Sequence, residues 1–196
     1  PRCEAVSLAR TLYTVCMAAE FTPTRVYIAA DHAGYEAKQA IVSALEGELM
    51  MQDLSAPELK PNDDFVPYAE CVAQAVILES GSVGVLVCGS GEGMAIAANK
   101  IDGIRASVVW DEAVARETRQ DNDANIVALP ARFEDIDSLI AITRAFCTTA
   151  FSGAERHARR ERRSVLLHPR GPARERRLLL RRDPGAAALP RGRGTV

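Results

Sequence analysis

A continuous apolar run, Val83–Cys88 (VGVLVC), ends directly on a glycine-rich segment, Gly89–Gly93. A strand without polar positions is typical of a parallel sheet that is covered on both faces. Segments of strand and helical periodicity alternate on either side of this run. That order predicts an α/β fold with a single open parallel sheet of about five strands and helices on both faces.

The periodicity assigns the individual elements. Strands are predicted at Arg25–Ala30, Met50–Leu54, Val83–Cys88, Arg105–Val109 and Ile126–Leu129. Helices are predicted at Tyr35–Leu45, Tyr68–Leu78, the segment that follows the glycines through Ala98, Glu112–Arg119 and Ile136–Phe151. Ser55–Asp64, which contains two prolines, is predicted to be a loop.

Charge divides the chain of 196 residues into a body and a tail. Residues 1–160 carry 14 Lys and Arg against 23 Asp and Glu, a net charge of −9. Residues 161–196 carry 10 Arg against 3 acidic residues, a net charge of +7. We therefore expect an N-terminal extension (1–24), an α/β domain (25–160) and a basic, disordered tail (161–196). Met17 is a candidate natural start, which would leave residues 1–16 upstream of it.

Composition excludes several classes of protein. A hydrophobic fraction of 47% permits a sizeable core. No apolar run reaches the length of about 18 residues that a membrane-spanning helix needs. Five cysteines without a C-x-x-C pair disfavour a disulfide framework and a thiolate metal site, and they fit a reducing cytoplasm. The basic tail lacks aromatic residues to stack on bases, so we favour a solvated extension over a nucleic-acid partner.

Ligands of open parallel sheets bind beyond the carboxyl ends of the strands, and we expect three polar clusters to share that place. They are Asp31–His32, Cys88–Gly93 and Gln120–Asn125.

The glycine segment predicts an anion site. Gly89, Gly91 and Gly93 allow the backbone to turn several N–H groups towards one point, at the start of a helix. Such a loop would stabilise a phosphate or an oxyanion. The alternative is a tight strand–helix turn without a ligand. Neither G-x-G-x-x-G nor G-x-x-x-x-G-K-[ST] is present, so a dinucleotide or nucleoside-triphosphate site is poorly supported.

Several side chains beside this loop could carry chemistry. A thiol at a helix start should have a lowered pKa, so Cys88 could serve as a base or nucleophile; the alternative is a small core residue. Asp31 could bind substrate or cap the following helix. The basic group at Arg156–Arg160 suits phosphate, or it is an exposed helix end.

Together these segments resemble the type B ribose-5-phosphate isomerases and their galactose-6-phosphate isomerase relatives. The matching segments follow the family's order over roughly residues 25–160: Ala30–Gly34, Tyr68–Glu70, Cys88–Gly93, Ile96–Lys100, Gly103–Ala106, Asn122–Asn125 and Arg156–Arg160. The resemblance implies a Rossmann- or flavodoxin-like fold and an aldose–ketose isomerase, an intramolecular oxidoreductase that uses no metal or cofactor. It also implies homodimers or dimers of dimers, with each site built from two subunits.

The resemblance implies a role for each matching residue. Cys88 would be the base that moves a proton between C1 and C2 of a cis-enediolate. Ser90 and the N–H groups of Gly89–Gly93 would hold the enediolate oxygen. Asp31 and Asn122 would bind sugar hydroxyls. The phosphate would be held by His32, Arg132, Arg156, His157 and Arg160.

Three positions depart from the family's pattern. Asp121 stands where the family has a histidine that helps to open the sugar ring. A carboxylate, with an unperturbed pKa of about 3.9, delivers a proton less readily at pH 7. Phe65 replaces a tyrosine that contacts substrate, and Pro130 stands two residues before Arg132 in place of glycine.

We therefore expect an isomerase of a small phosphorylated sugar, with Cys88, Ser90 and Asp121 as its catalytic residues. Ribose 5-phosphate to ribulose 5-phosphate, a reaction of the pentose phosphate pathway of carbohydrate metabolism, is the favoured conversion. The alternatives are a six-carbon substrate such as galactose 6-phosphate, a four-carbon sugar phosphate, and a non-catalytic sugar-phosphate-binding protein. A nucleic-acid-binding protein acting through its tail is the weakest alternative.

Overall fold

The computed structural model of the protein describes residues 21–159. Five strands form one parallel sheet: β1 (Val26–Ala30), β2 (Met51–Asp53), β3 (Val83–Cys88), β4 (Ala106–Val108) and β5 (Ile126–Pro130). Their order across the sheet is β2-β1-β3-β5-β4. Five helices connect and follow them: α1 (Tyr35–Leu45), α2 (Val66–Leu78), α3 (Glu92–Ala98), α4 (Glu112–Asn122) and α5 (Ile136–Thr148).

The predicted open parallel sheet with helices on both faces is confirmed. Every element just described was predicted, and the bounds differ by up to three residues, most of all where α4 continues to Asn122 and α5 ends at Thr148. A further helical turn at 155–159 agrees with the alternative interpretation of the basic group as a helix end. The predictions for most of the N-terminal extension, for Arg160 and for the basic tail lie outside the described residues. Within residues 21–159, no helix is both long and apolar enough to cross a membrane.

The sheet separates two apolar cores. Helices α1, α4 and α5 cover one face, and α2 and α3 cover the other. Strands β1 and β3 are neighbours, yet the chain leaves them towards opposite faces. This arrangement opens a crevice at the carboxyl ends of β1 and β3, the usual ligand position in open α/β sheets.

Strand β3 shows why its sequence is apolar throughout. Val83, Val85 and Val87 contribute to the core under α1, α4 and α5, whereas Leu86 and Cys88 contribute to the core under α2 and α3. All six residues of the strand are buried. Because side chains alternate between faces along a strand, the thiol of Cys88 is directed to the α2–α3 face at the carboxyl end.

Gly34 allows the loop after β1 to approach β3 closely. A Cβ atom at this position would lie 2.2 Å from the carbonyl oxygen of Val87, which belongs to the strand backbone. We expect Gly34→Ala to lower the free energy of unfolding by about 3 kcal/mol, because neither backbone segment can move without disturbing the sheet. Urea denaturation measures the loss.

Gly47→Ala provides the matched control for Gly34→Ala. Gly47 has a φ of +94° and no atom within 4 Å of an added Cβ, so alanine there meets only backbone strain. That strain is about 1 kcal/mol. Equal losses of unfolding free energy in the two variants would contradict the close contact between Gly34 and Val87.

Candidate active site

Part of the predicted site lies together at the carboxyl edge of the sheet. Asp31 and His32 follow β1, the glycine loop follows β3, and Arg132 follows β5. Two backbone hydrogen bonds join the last two segments: Ala131 N–H donates to the carbonyl of Cys88 at 2.9 Å, and Arg132 N–H donates to that of Gly89 at 3.0 Å. We call Asp31, His32, Cys88, Ser90 and Arg132, together with the glycine loop, the carboxyl-edge cluster.

Cys88 lies at the centre of this cluster and is 5% exposed. The N–H of Gly91 donates a hydrogen bond to its sulfur at 3.1 Å, and the N–H groups of Ser90 and Met94 also face the sulfur. Gly91 adopts a left-handed φ of 77°, which favours glycine. Several N–H groups of the loop therefore converge as predicted, and they converge on the thiol.

The electrostatic setting of Cys88 differs from the prediction. Burial raises the pKa of the Cys88 thiol above its usual range, and the negative charge of Asp31 acts in the same direction. The hydrogen bonds from Gly91, Ser90 and Met94 favour the thiolate without overcoming burial. The prediction of a lowered pKa was wrong, because the sequence indicated the helix start and not the depth of the thiol.

Asp31 caps a turn and also lies near the thiol of Cys88. One of its carboxylate oxygens accepts hydrogen bonds from Ala33 N–H at 2.9 Å and Gly34 N–H at 3.1 Å, so it caps the turn that leads into α1. Its negative charge also contributes to raising the pKa of Cys88 and that of Tyr68. The capping alternative is therefore observed, and it holds Asp31 in the same crevice as the sulfur.

Two further side chains border the glycine loop. A Cβ atom on Gly89 would lie 2.9 Å from the guanidinium of Arg132, and one on Gly93 would lie 2.8 Å from the ring of Phe65. The two glycines therefore let a cation and an aromatic ring lie directly on the loop backbone. Arg132 contacts the loop although proline, and not the family's glycine, stands two residues before it at Pro130.

Asp63 also contacts the carboxyl-edge cluster, and no sequence pattern indicated it. Its carboxylate contacts both the backbone N–H and the ring Nδ1 of His32. Asp63 lies in a segment predicted only as a loop, and a carboxylate in a loop gives no signal of its partner. The contact becomes visible only when the segment before α2 folds onto the loop after β1.

The segment Gln120–Asn125 does not lie at the carboxyl edge, and the expectation that it shares that edge was wrong. The segment connects α4 to β5 and therefore precedes a strand instead of following one. The N–H of Gly84, near the start of β3, donates to the carbonyl of Asn125 at 2.8 Å. Gly84 is separated from Cys88 by four residues of extended strand, about 13 Å.

A second group of predicted site residues therefore lies at the amino edge of the sheet. His157 is buried, and its Nδ1 lies 2.9 Å from the backbone carbonyl oxygen of Asp121 and 3.6 Å from Oδ2 of the same residue. Asn122 and Arg156 are exposed beside them. We call Asp121, Asn122, Arg156 and His157 the amino-edge cluster.

Neither cluster offers a metal site. Across residues 21–159, no three side chains of the His, Cys, Asp and Glu types come close enough to hold a metal ion together. The chemistry available within these residues is that of a buried thiol, converging N–H groups, carboxylates and cations.

Comparisons with known proteins relate the chain to a family of enzymes. The sequence model described as Ribose/Galactose Isomerase matches residues 26–163. The ribose-5-phosphate isomerase B of Mycobacterium tuberculosis is 38% identical over 138 residues, which cover 69% of this chain and 85% of that protein.

Solved structures of ribose-5-phosphate isomerases of type B are also similar to the chain. The ribose-5-phosphate isomerase B of Mycoplasma genitalium, solved with bound ribulose 5-phosphate, is 34% identical with a TM-score of 0.69, covering 72% of this chain and 93% of that one. The type B enzyme of Trypanosoma brucei is 37% identical with a TM-score of 0.68, covering 74% and 98%. The resemblance predicted from the motifs is confirmed: the chain belongs to the ribose/galactose isomerase family.

Proposed function

We propose that this sugar-phosphate isomerase interconverts D-ribose 5-phosphate and D-ribulose 5-phosphate, with Cys88 as the base. The observation that carries the proposal is a thiol at the β1–β3 crevice that receives hydrogen bonds from the glycine loop. The bound ribulose 5-phosphate of the Mycoplasma genitalium relative supports a five-carbon substrate.

The proposed reaction moves two protons within the substrate, one between carbons and one between oxygens, and needs no external oxidant. The Cys88 thiolate removes the proton from C2 of the open-chain aldose, the C–H electrons form the C1–C2 double bond, and the carbonyl electrons move to O1. The resulting cis-enediolate is stabilised by the hydroxyl of Ser90 and by N–H groups of the loop. The thiol then returns the proton to C1, and the hydroxyl proton of O2 moves to O1, so that O2 becomes the ketone oxygen and O1 a hydroxyl.

We infer that the amino-edge cluster of a second subunit completes each site. In one chain the two clusters lie on opposite edges of the sheet, about 13 Å apart along β3. A small sugar phosphate does not span that separation. In a two-fold symmetric dimer, the carboxyl edge of each subunit can meet the amino edge of the other. Asp121 and Asn122 would then bind the sugar, and Arg156 and His157 the phosphate.

A substrate panel tests the proposed function. The protein should convert ribose 5-phosphate to a ketose phosphate, with kcat/KM at least about tenfold higher than for galactose 6-phosphate or a four-carbon aldose phosphate. Colorimetric detection of ketose gives the rates. Binding of ribose 5-phosphate without ketose formation would identify a non-catalytic binder, and a preference for another chain length would reassign the substrate.

A further inference from the structure

The carboxylate of Asp63 holds His32 at two points. The same oxygen, Oδ1, accepts a hydrogen bond from the backbone N–H of His32 at 2.8 Å and lies 3.1 Å from the ring Nδ1. The Asp63 side chain is 14% exposed and that of His32 is 34% exposed. A single oxygen therefore fixes both the backbone and the ring of His32, while part of the ring stays open to solvent.

This contact determines which ring nitrogen of His32 carries a hydrogen. An ionised carboxylate only accepts hydrogen bonds, so the Nδ1 of His32 must be the donor. Hydrogen bonds from the backbone N–H and the side chain of His32, and from the hydroxyl of Tyr68, hold the pKa of Asp63 below its usual range despite partial burial. Asp63 is therefore ionised at neutral pH, and Nδ1 is the nitrogen turned inward.

The other ring nitrogen of His32 is available to a ligand. Within the part of the chain that the structure describes, no group forms a hydrogen bond with Nε2. The charged and titratable groups in this crevice include Arg132 and Asp31, and the charge of Asp31 acts on both Tyr68 and Cys88. The hydrogen bond to Asp63 raises the pKa of Tyr68, so its hydroxyl stays protonated and joins α2 to the same carboxylate.

We propose that Asp63 is a positioning residue, which accepts Nδ1–H of His32 and thereby turns Nε2 outward. Because a phosphate oxygen only accepts hydrogen bonds, the ring contacts the substrate with hydrogen on both nitrogens, and Nε2–H donates to the phosphate. The phosphate contact of His32 belongs to the proposed function, and this inference rests on it. Asp63 itself touches no substrate atom. Its contribution is to fix the orientation of a ring that would otherwise rotate, because a carboxylate partner commonly sets which imidazole nitrogen faces a ligand.

The tautomer can be measured without substrate. Long-range proton–nitrogen NMR of the full chain should show His32 with hydrogen on Nδ1. A wild-type protein with the hydrogen on Nε2 alone would overturn the proposal. Since this spectrum does not depend on turnover, it separates a failure of the inference from a failure of the proposed function.

Kinetics of Asp63→Ala provide the second test. We expect KM for ribose 5-phosphate and the inhibition constant of inorganic phosphate to rise together, about tenfold, while kcat changes less than about twofold. Asp63→Asn keeps an oxygen acceptor at the same place and should restore KM to within about threefold of the wild type. It also serves as the test variant if alanine impairs folding.

Asp64→Asn is the matched control for these variants. Asp64 is the adjacent residue and is exposed, and it accepts a helix-start hydrogen bond from Val66 N–H at 2.9 Å, which asparagine can also accept. It removes the same charge one residue away and should leave KM, kcat and phosphate inhibition unchanged. A KM for Asp63→Ala equal to that of Asp64→Asn, or a loss confined to kcat, would overturn the positioning role.

Discussion

Replacing Cys88 by serine is expected to reduce kcat/KM for ribose 5-phosphate by about a thousandfold, the range that a general base contributes. Serine has nearly the same shape and can accept the N–H of Gly91 that now bonds to sulfur. The loop should therefore persist while the ionisable group is lost. Ketose formation measures turnover, and inhibition by inorganic phosphate shows whether anion binding remains.

The pH dependence of the wild type gives a second readout of the same prediction. Burial raises the pKa of Cys88, so the thiol is protonated at neutral pH and its thiolate fraction increases with pH. Between pH 7 and 9 the phosphate group is already in its dianionic form, with a second pKa of about 6. We therefore expect kcat/KM to rise across this interval as the thiolate forms.

Cys71→Ser is the control for the cysteine replacement. Cys71 is an exposed residue of α2, and the same substitution there should leave kcat/KM unchanged. Full activity of Cys88→Ser would remove the thiol from the mechanism. A kcat/KM of the wild type that is flat from pH 7 to 9 would contradict the raised pKa.

The architecture could be predicted because its apolar pattern is strong. In β3, alternate residues face the two cores, and no polar position is left. Helix ends were harder to predict. Helix α4 ends where Asp123 adopts a left-handed φ of 48°, a conformation usually supplied by glycine. Because aspartate gives little signal for such a turn, the helix was predicted to end at Arg119.

The predicted elements already contained the correct place of Gln120–Asn125. The segment stands between a helix and β5 whether the helix ends at Arg119 or at Asn122, so it precedes β5 and lies at the amino edge. The sequence also identified the thiol and the glycine loop, whose spacing is local. The pKa of Cys88 and the pairing of Asp63 with His32 depend on burial and on contacts distant in sequence, which no local pattern contains.

Two inactive variants should restore activity to each other if each site is built from two subunits. Asn122→Ala/Arg156→Ala damages the amino-edge cluster at two exposed positions, so we expect folding to be retained and kcat/KM to fall about a hundredfold. Cys88→Ser damages the carboxyl-edge cluster. Each variant alone should be nearly inactive, because both sites of its dimer carry the same defect.

Mixed dimers behave differently, because one of their two sites combines the intact carboxyl edge of one subunit with the intact amino edge of the other. The second site receives both defects. Random reassociation of equal amounts makes about half of the dimers mixed, so the mixture should regain about a quarter of the wild-type activity. Co-refolding followed by the ketose assay measures this gain.

The matched control mixes two variants of the same edge, Cys88→Ser and Arg132→Ala. Both defects lie in the carboxyl-edge cluster, so every site of a mixed dimer still takes a damaged carboxyl edge, and no activity above that of the separate variants should return. If each site instead lay within one chain, Cys88→Ser mixed with the amino-edge variant would also regain nothing, because every chain would carry one defect. Recovery in the first mixture and not in the second therefore requires that Cys88 and the amino-edge residues of one site come from different subunits.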